Sequence, residues 1–221
     1  MNLNNNKRKN NVNIFNKNNI IDLHDIYDKI LHGGNIDKNE IEYINNVVSA
    51  VKPKDEKILR EIIEFYSYFY PNYSLNWLDV SEITDMNHLF ENTKYNGDIS
   101  KWDVSNVIFM NSMFKYAYDF NQPIGNWDVS NVMNMSDMFN GAYNFNQPIG
   151  DWNVSNVNGM RSMFNSAVKF NQPIGDWNVS NVNGMQGMFY CAVKFNQPIG
   201  DWDVGNVYNM DKMFYHADSF N

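Results

Sequence analysis

Apolar residues recur every 25 positions along the C-terminal two-thirds of the chain. The tryptophans set this register, since they stand at Trp77, Trp102, Trp127, Trp152, Trp177 and Trp202. Residues 145–169 and 170–194 are identical at 21 of 25 positions. A fixed period of this length is typical of an array in which each repeat buries its apolar face against its neighbours.

Within one repeat the pattern changes from β-like to helical. The β-branched, partly alternating stretch 152–157 predicts a short strand. Met160, Met163 and Phe164 then begin a spacing of i, i+3, i+4, i+7 and i+10, which predicts about two turns of helix. Pro173 and Gly175 indicate the turn that follows. The predicted fold is therefore an α/β solenoid, leucine-rich-repeat-like, of about six strand–short helix–turn coils.

Three segments follow from these patterns. Residues 1–19 form an Asn-rich basic tail that we expect to be disordered. Residues 20–76 predict a helical N-terminal cap, whose third helix is indicated by Ile58, Ile62, Phe65 and Phe69 and ends before Pro71. Residues 77–221 form the predicted solenoid, which needs a cap to cover its first repeat.

Charge and composition narrow the possible functions. The formal net charge of −8 matches that of residues 77–221 alone, where 15 acids outweigh 7 bases. The basic cluster Lys7-Arg8-Lys9 could be a targeting or nucleic-acid patch, but an acidic array repels nucleic acid, so we expect no nucleic-acid partner. One cysteine excludes an intrachain disulfide. No apolar run reaches the ~18 residues of a membrane span, and no signal sequence is recognisable.

Several columns, meaning equivalent positions in successive repeats, admit a chemical interpretation beside a structural one. The methionine columns could bind Cu(I), although filling of a core explains them better. The tryptophans could be sugar-stacking platforms or packed core, each indole N–H then needing an acceptor. Recurring aspartates beside Trp could bind calcium or cap turns. We expect no enzyme, cofactor or metal, and Cys191 falls in a variable, solvent-facing column.

Two asparagine columns predict ladders of hydrogen bonds that satisfy backbone groups inside the stack. They are Asn106, Asn131, Asn156, Asn181 and Asn206, and Asn121, Asn146, Asn171 and Asn196. Positions that vary between repeats are the ones free to face a partner, and tyrosine is a favoured interface residue. The candidate partner contacts are Tyr116, Tyr143, Arg161, Tyr190 and Tyr215.

The consensus F-N-Q-P-I-G-x-W-[DN]-V-S-N-V-x-x-M-x-x-M-F-x-x-A resembles the 25-residue repeat of BspA-like leucine-rich-repeat surface proteins, the mycoplasma-type repeat domain of unknown function. The resemblance covers about residues 77–221. It implies a leucine-rich-repeat-like solenoid and a role in adhesion at the cell surface, and it brings no catalytic residues. The chain shows neither a signal peptide nor an N-terminal lipid-acceptor cysteine, which favours an intracellular, virion or host-cell location.

The sequence thus predicts a non-enzymatic solenoid for protein–protein interaction or adhesion. A glycan-binding adhesion module that uses exposed aromatic residues is one alternative. A self-assembling structural module is the other, because the repeat register continues to Phe220-Asn221 and would leave a repeat edge open to end-to-end association.

Overall fold

The computed structural model describes residues 52–53 and 56–221. Within this range one α-helix is present, α1 (Glu56–Phe69). It coincides with the third predicted helix, and it buries Leu59, Ile63 and Tyr66 at helical spacing. The predicted basic tail and the first two predicted helices lie outside the described residues.

Helix α1 shares one core with the first repeat. Leu59, Ile63 and Tyr66 belong to the same apolar cluster as Leu75 and Leu78. The Tyr66 ring stacks on the ring of Tyr73, with 5.4 Å between centroids. Burial raises the pKa of Tyr66, so its phenol stays protonated over the physiological range.

The repeats are stacked in parallel register. Isolated β-bridges join equivalent residues of consecutive repeats, and within the described residues β pairing is limited to these single positions. They link Asp85, Phe109, Asn134, Gly159, Gly184 and Asn209 in order. The short strand predicted at 152–157 is therefore replaced by one bridging residue, Gly159, located just after it.

The helix predicted within each repeat is not present, and residues 161–166 form consecutive turns. Backbone hydrogen bonding explains the difference. The N–H groups of Met160, Ser162, Phe164 and Ser166 donate to carbonyl oxygens of the next repeat, at distances from 2.7 to 3.2 Å. An N–H group that bonds to the next repeat cannot close an α-helical i→i−4 bond.

Left-handed backbone at two positions per repeat also excludes a helix. In the repeat of Trp152 these are Ser162, with φ of 51°, and Ser166, with φ of 55°. The equivalent residues of the other repeats are also left-handed, and most of them are not glycine. They are His88, Asn92, Ser112, Tyr116, Asp137, Gly141, Gly187, Cys191, Lys212 and His216. Each turn segment thus reverses twice, which directs alternate N–H groups toward the next repeat.

Aromatic rings form two continuous stacks through the core. One stack contains Phe90, Phe114, Phe139, Phe164, Phe189 and Phe214, with 5.2 to 5.7 Å between successive centroids. The other contains Phe120, Phe145, Phe170, Phe195 and Phe220. Within a repeat the two stacks touch, as for Phe164 and Phe170 at 4.0 Å. Ring stacking in register fixes the spacing of the repeats.

Candidate interaction surface

The tryptophan column lies in the core and is anchored by hydrogen bonds between repeats. Five indoles are buried, Trp77 is half-buried, and no Trp from 102 onward exposes more than 8% of its surface. Each of the five donates its Nε1–H to a carbonyl of the preceding repeat, as Trp152 does to Ile124 O at 3.1 Å. The expected acceptor is confirmed. The interpretation of these five rings as sugar platforms is wrong, because the rings have no accessible face.

The methionine columns also lie in the core. Met110, Met135, Met160 and Met185 are fully buried, and the second column is buried from Met113 to Met213. Met210, in the final repeat, is exposed. The thioethers belong to the same buried cluster as the stacked phenylalanines and fill space in the core.

Both asparagine ladders are present, but one of them lies on the outside. Asn156 Nδ2 donates to Ser130 O of the preceding repeat at 2.7 Å, and the whole column from Asn106 to Asn206 repeats this bond while remaining exposed. In the second column, Asn171 N donates to Asn146 Oδ1 at 2.9 Å, and Gln172 Nε2 donates to the same oxygen at 3.0 Å. The ladders bind neighbouring repeats together, but the first does so without burial.

Aspartates that follow tryptophan cap turns. Asp128 Oδ1 accepts from Ser130 N at 3.0 Å, and Asn153 Oδ1 accepts from Ser155 N and Oγ in the same way. The bonds donated by Ser130 lower the pKa of Asp128. Across the part of the chain that the structure describes, no three His, Cys, Asp or Glu side chains are grouped to hold a metal ion. The turn-capping interpretation is confirmed for this column.

Three tyrosines meet on the turn segments of neighbouring repeats. The rings of Tyr118 and Tyr143 are 5.0 Å apart, and those of Tyr116 and Tyr118 are 6.2 Å apart. Tyr118 and Tyr143 expose 46% and 47% of their surfaces. The ring of Tyr116 lies over Gly141, where an added Cβ would be 2.5 Å from Tyr116 Cδ1. We call Tyr116, Tyr118 and Tyr143 the tyrosine cluster.

The other candidate contacts lie on later repeats. Tyr190 and Tyr215 stack on each other at 5.1 Å, and Arg161 is exposed. Cys191 is half-buried with left-handed backbone, so it is not the solvent-facing helical residue that its variability predicts. Ser112 belongs to another variable column, and it is buried. The residues of that column share left-handed backbone geometry and not exposure.

Sequence reasoning missed a second exposed surface, on the face that carries the β-bridges. Phe109 and Met133 are exposed there, and Ile108 is half-buried. A shallow groove of about 720 Å³ runs along this face, lined by Glu82, Thr84, Asn106, Ile108, Asn131, Met133 and Asn156. The sequence contains a signal for this exposed surface, because the two consensus positions between Val and Met vary from repeat to repeat.

Comparison with known families decides the membership of the chain. The Mycoplasma protein family of unknown function DUF285 matches residues 59–167 and 144–221. The chain belongs to this family. The DUF285 match begins inside α1, whose core residues pack with the first repeat. No curated protein and no solved structure matches the chain. Within the described residues, no helix is long and apolar enough to cross a membrane.

Proposed function

We propose that this DUF285 chain is a non-enzymatic binding module: a solenoid that presents the tyrosine cluster to a protein partner. The consensus repeat supports a further proposal, that the chain is related to BspA-like leucine-rich-repeat surface proteins and acts in adhesion. The single observation that carries the binding proposal is the cluster itself. Three adjacent tyrosine rings stay exposed to water on a scaffold whose repeated tryptophan and phenylalanine columns are largely buried.

The scaffold favours binding because it holds the rings in place before a partner arrives. Tyr116 N donates to Asn140 O of the next repeat at 2.7 Å, and Asn144 N donates to Tyr118 O at 3.2 Å. These backbone bonds fix the Cα positions from which the rings project. A preorganised aromatic surface loses little conformational entropy when it binds, and tyrosine is enriched among residues that dominate binding energy.

The test removes the rings and leaves the scaffold. The partner captured from source cells by the wild-type chain is identified, purified and titrated against Tyr116→Ala/Tyr118→Ala/Tyr143→Ala. We expect Kd to rise by about 30-fold or more, since one dominant contact is worth about 2 kcal/mol. Tyr68→Ala/Tyr208→Ala is the matched control, because these two tyrosines are 76% and 78% exposed and lie elsewhere. An unchanged Kd for the triple variant would refute the proposal.

A glycan ligand is the second candidate, favoured by the pair Tyr118–Tyr143. Two half-exposed rings 5.0 Å apart on consecutive repeats could each stack on one sugar ring. A glycan array screened with the wild type and the triple variant separates the two functions. Sugar binding that disappears in the triple variant supports the glycan module, and a blank array with intact protein binding excludes it.

A further inference from the structure

A basic edge continues the tyrosine cluster along the stack. Lys169 N donates to Tyr143 O at 3.2 Å, so Lys169 lies directly beside Tyr143 on the next repeat. Lys194 occupies the same position one repeat later. Val168 and Val193, both half-buried, continue the column of Tyr118 and Tyr143. We call the following residues the aromatic–basic strip: Tyr118, Tyr143, Val168, Val193, Lys169 and Lys194.

The two lysines of the strip are exposed, and within the described residues no carboxylate lies within 4.0 Å of either ammonium group. By contrast, Lys52 bonds to Glu82 at 3.1 Å and to Asp79 at 3.3 Å, and Lys115 Nζ lies 4.0 Å from Glu91 Oε1. Residues 77–221 carry a net charge of −8. Two exposed cations at equivalent positions of consecutive repeats, with no carboxylate partner in the part of the chain that the structure describes, make the strip a local attractor for carboxylates.

The charge along the strip is asymmetric. Asp119 follows Tyr118 at one end, and the same column changes to Asn144, then to Lys169 and Lys194. A ligand lying along the stack therefore meets Asp119 and two aromatic rings first and the aliphatic and basic stretch next, and exposed Asp218 follows Val193 in the same column one repeat later. A chain with apolar side chains that face the two rings, followed by carboxylates that face Lys169 and Lys194, complements this stretch.

We propose that the aromatic–basic strip binds an extended acidic peptide, which packs apolar side chains against Tyr118 and Tyr143 and pairs its carboxylates with Lys169 and Lys194. This inference rests on the proposed protein-binding function and names the chemistry of its partner. Nucleic acid fits less well, because a uniformly charged phosphate backbone would be repelled by Asp119 and by the acidic stack. The peptide does not need its own fold, since the strip is only two neighbouring columns wide.

A display library of random 12-residue peptides, panned against the full chain, provides the probe. We expect enriched peptides to carry Asp or Glu on one side of an aromatic or aliphatic pair. Their Kd should rise about tenfold in Lys169→Glu/Lys194→Glu, because exposed ion pairs are worth up to about 1 kcal/mol each. Binding should also weaken as salt is raised through 0.1 M, where charges are screened over about 10 Å.

The matched control is Lys57→Glu/Lys101→Glu, which makes the same change in net charge at two exposed lysines outside the strip. Its Kd for the enriched peptides should match the wild type. Enriched peptides without acidic residues, or an equal loss in the control, would overturn the acidic-peptide assignment. If the natural partner still depends on the tyrosine cluster in that case, the proposed function stands and only its partner chemistry is wrong. Enrichment of short oligonucleotides in a parallel selection would also overturn it.

Discussion

Gly141→Ala tests the geometry of the tyrosine cluster directly. Gly141 has φ of 72°, where an L-residue costs about 1–2 kcal/mol. Its added Cβ would also lie 2.5 Å from Cδ1 and 3.0 Å from Cε1 of Tyr116. The Tyr116 ring lies at the surface and can move aside, so we assign the clash about 1 kcal/mol, at the low end of overpacking costs. The expected loss of unfolding free energy is about 2–3 kcal/mol.

A double-mutant cycle separates backbone strain from the clash. In Tyr116→Ala the ring is gone, so adding Gly141→Ala costs only the left-handed strain, and the two substitutions should couple by about 1 kcal/mol. Urea denaturation followed by tryptophan fluorescence measures all four variants, because the buried indoles report on the packing of the stack. Ser166→Ala is the matched control one repeat later, since it keeps a Cβ at φ of 55° and loses one hydroxyl bond, to Asn165 Oδ1 at 2.9 Å.

Two outcomes would contradict this reasoning. A Gly141→Ala variant as stable as the wild type would mean that the backbone at 141 is not left-handed. A loss that is identical with and without the Tyr116 ring would mean that the ring does not lie over residue 141. In the second case the tyrosine cluster would need a different arrangement, and the strip defined from it would change.

Four further predictions concern the core and the ladders. Phe164→Ala should lower the free energy of unfolding by about 3–5 kcal/mol in urea, since both ring stacks lose a contact, and Phe214→Ala, at a half-buried position, should cost less. Trp152→Phe leaves a buried carbonyl without its donor and should cost about 1–3 kcal/mol by the same assay. Asn156→Ala removes one exposed inter-repeat bond and should cost about 0.5–1.5 kcal/mol, seen as a lower urea midpoint. The pKa of Asp128 is lowered in the folded chain, so the ionised carboxylate stabilises the fold. This contribution to the free energy of unfolding is complete above the unfolded pKa of about 4 and is lost as pH falls through the folded pKa. Asp128→Asn should flatten this part of a plot of unfolding free energy against pH.

The columns could be predicted from sequence because identity across repeats reports packing. The tryptophan, methionine and phenylalanine columns keep one residue type, and the structure buries nearly all of them. The helix could not be excluded by the same means. Met160, Met163 and Phe164 share one side in a helix, and they also do so in a turn segment that reverses at Ser162 and Ser166. The helix and the turn segment differ in whether a backbone N–H donates to a carbonyl of its own repeat or of the next one. The spacing of apolar residues does not determine which acceptor is used.

The tyrosine cluster could be predicted only in part, for a related reason. Variability identifies positions where the stack tolerates different side chains. It does not say which of them are exposed, since Ser112 is buried, or which of them are neighbours. Tyr118 was not among the candidate contacts, although it touches both Tyr116 and Tyr143. Arg161 is a candidate contact, but it lies outside the tyrosine cluster. The repeats keep the 25-residue register of the β-bridges, so Tyr118 lies beside Tyr143 of the next repeat.

The differences between the two most similar repeats lie in one part of the repeat, which bears on the proposed binding surface. Residues 145–169 and 170–194 differ at four positions, and all four lie within the turn segment 161–166 and its equivalent, which in other repeats carries Tyr116 and Tyr215. They are Arg161/Gln186, Ser162/Gly187, Asn165/Tyr190 and Ser166/Cys191. Each inter-repeat interface is held by backbone bonds, a tryptophan bond and asparagine bonds, none of which uses these side chains. Substitutions there leave the stack intact while they change its surface. One of the four, Asn165 to Tyr190, supplies a ring that stacks on Tyr215, so divergence in this segment creates new aromatic surface on an unchanged scaffold.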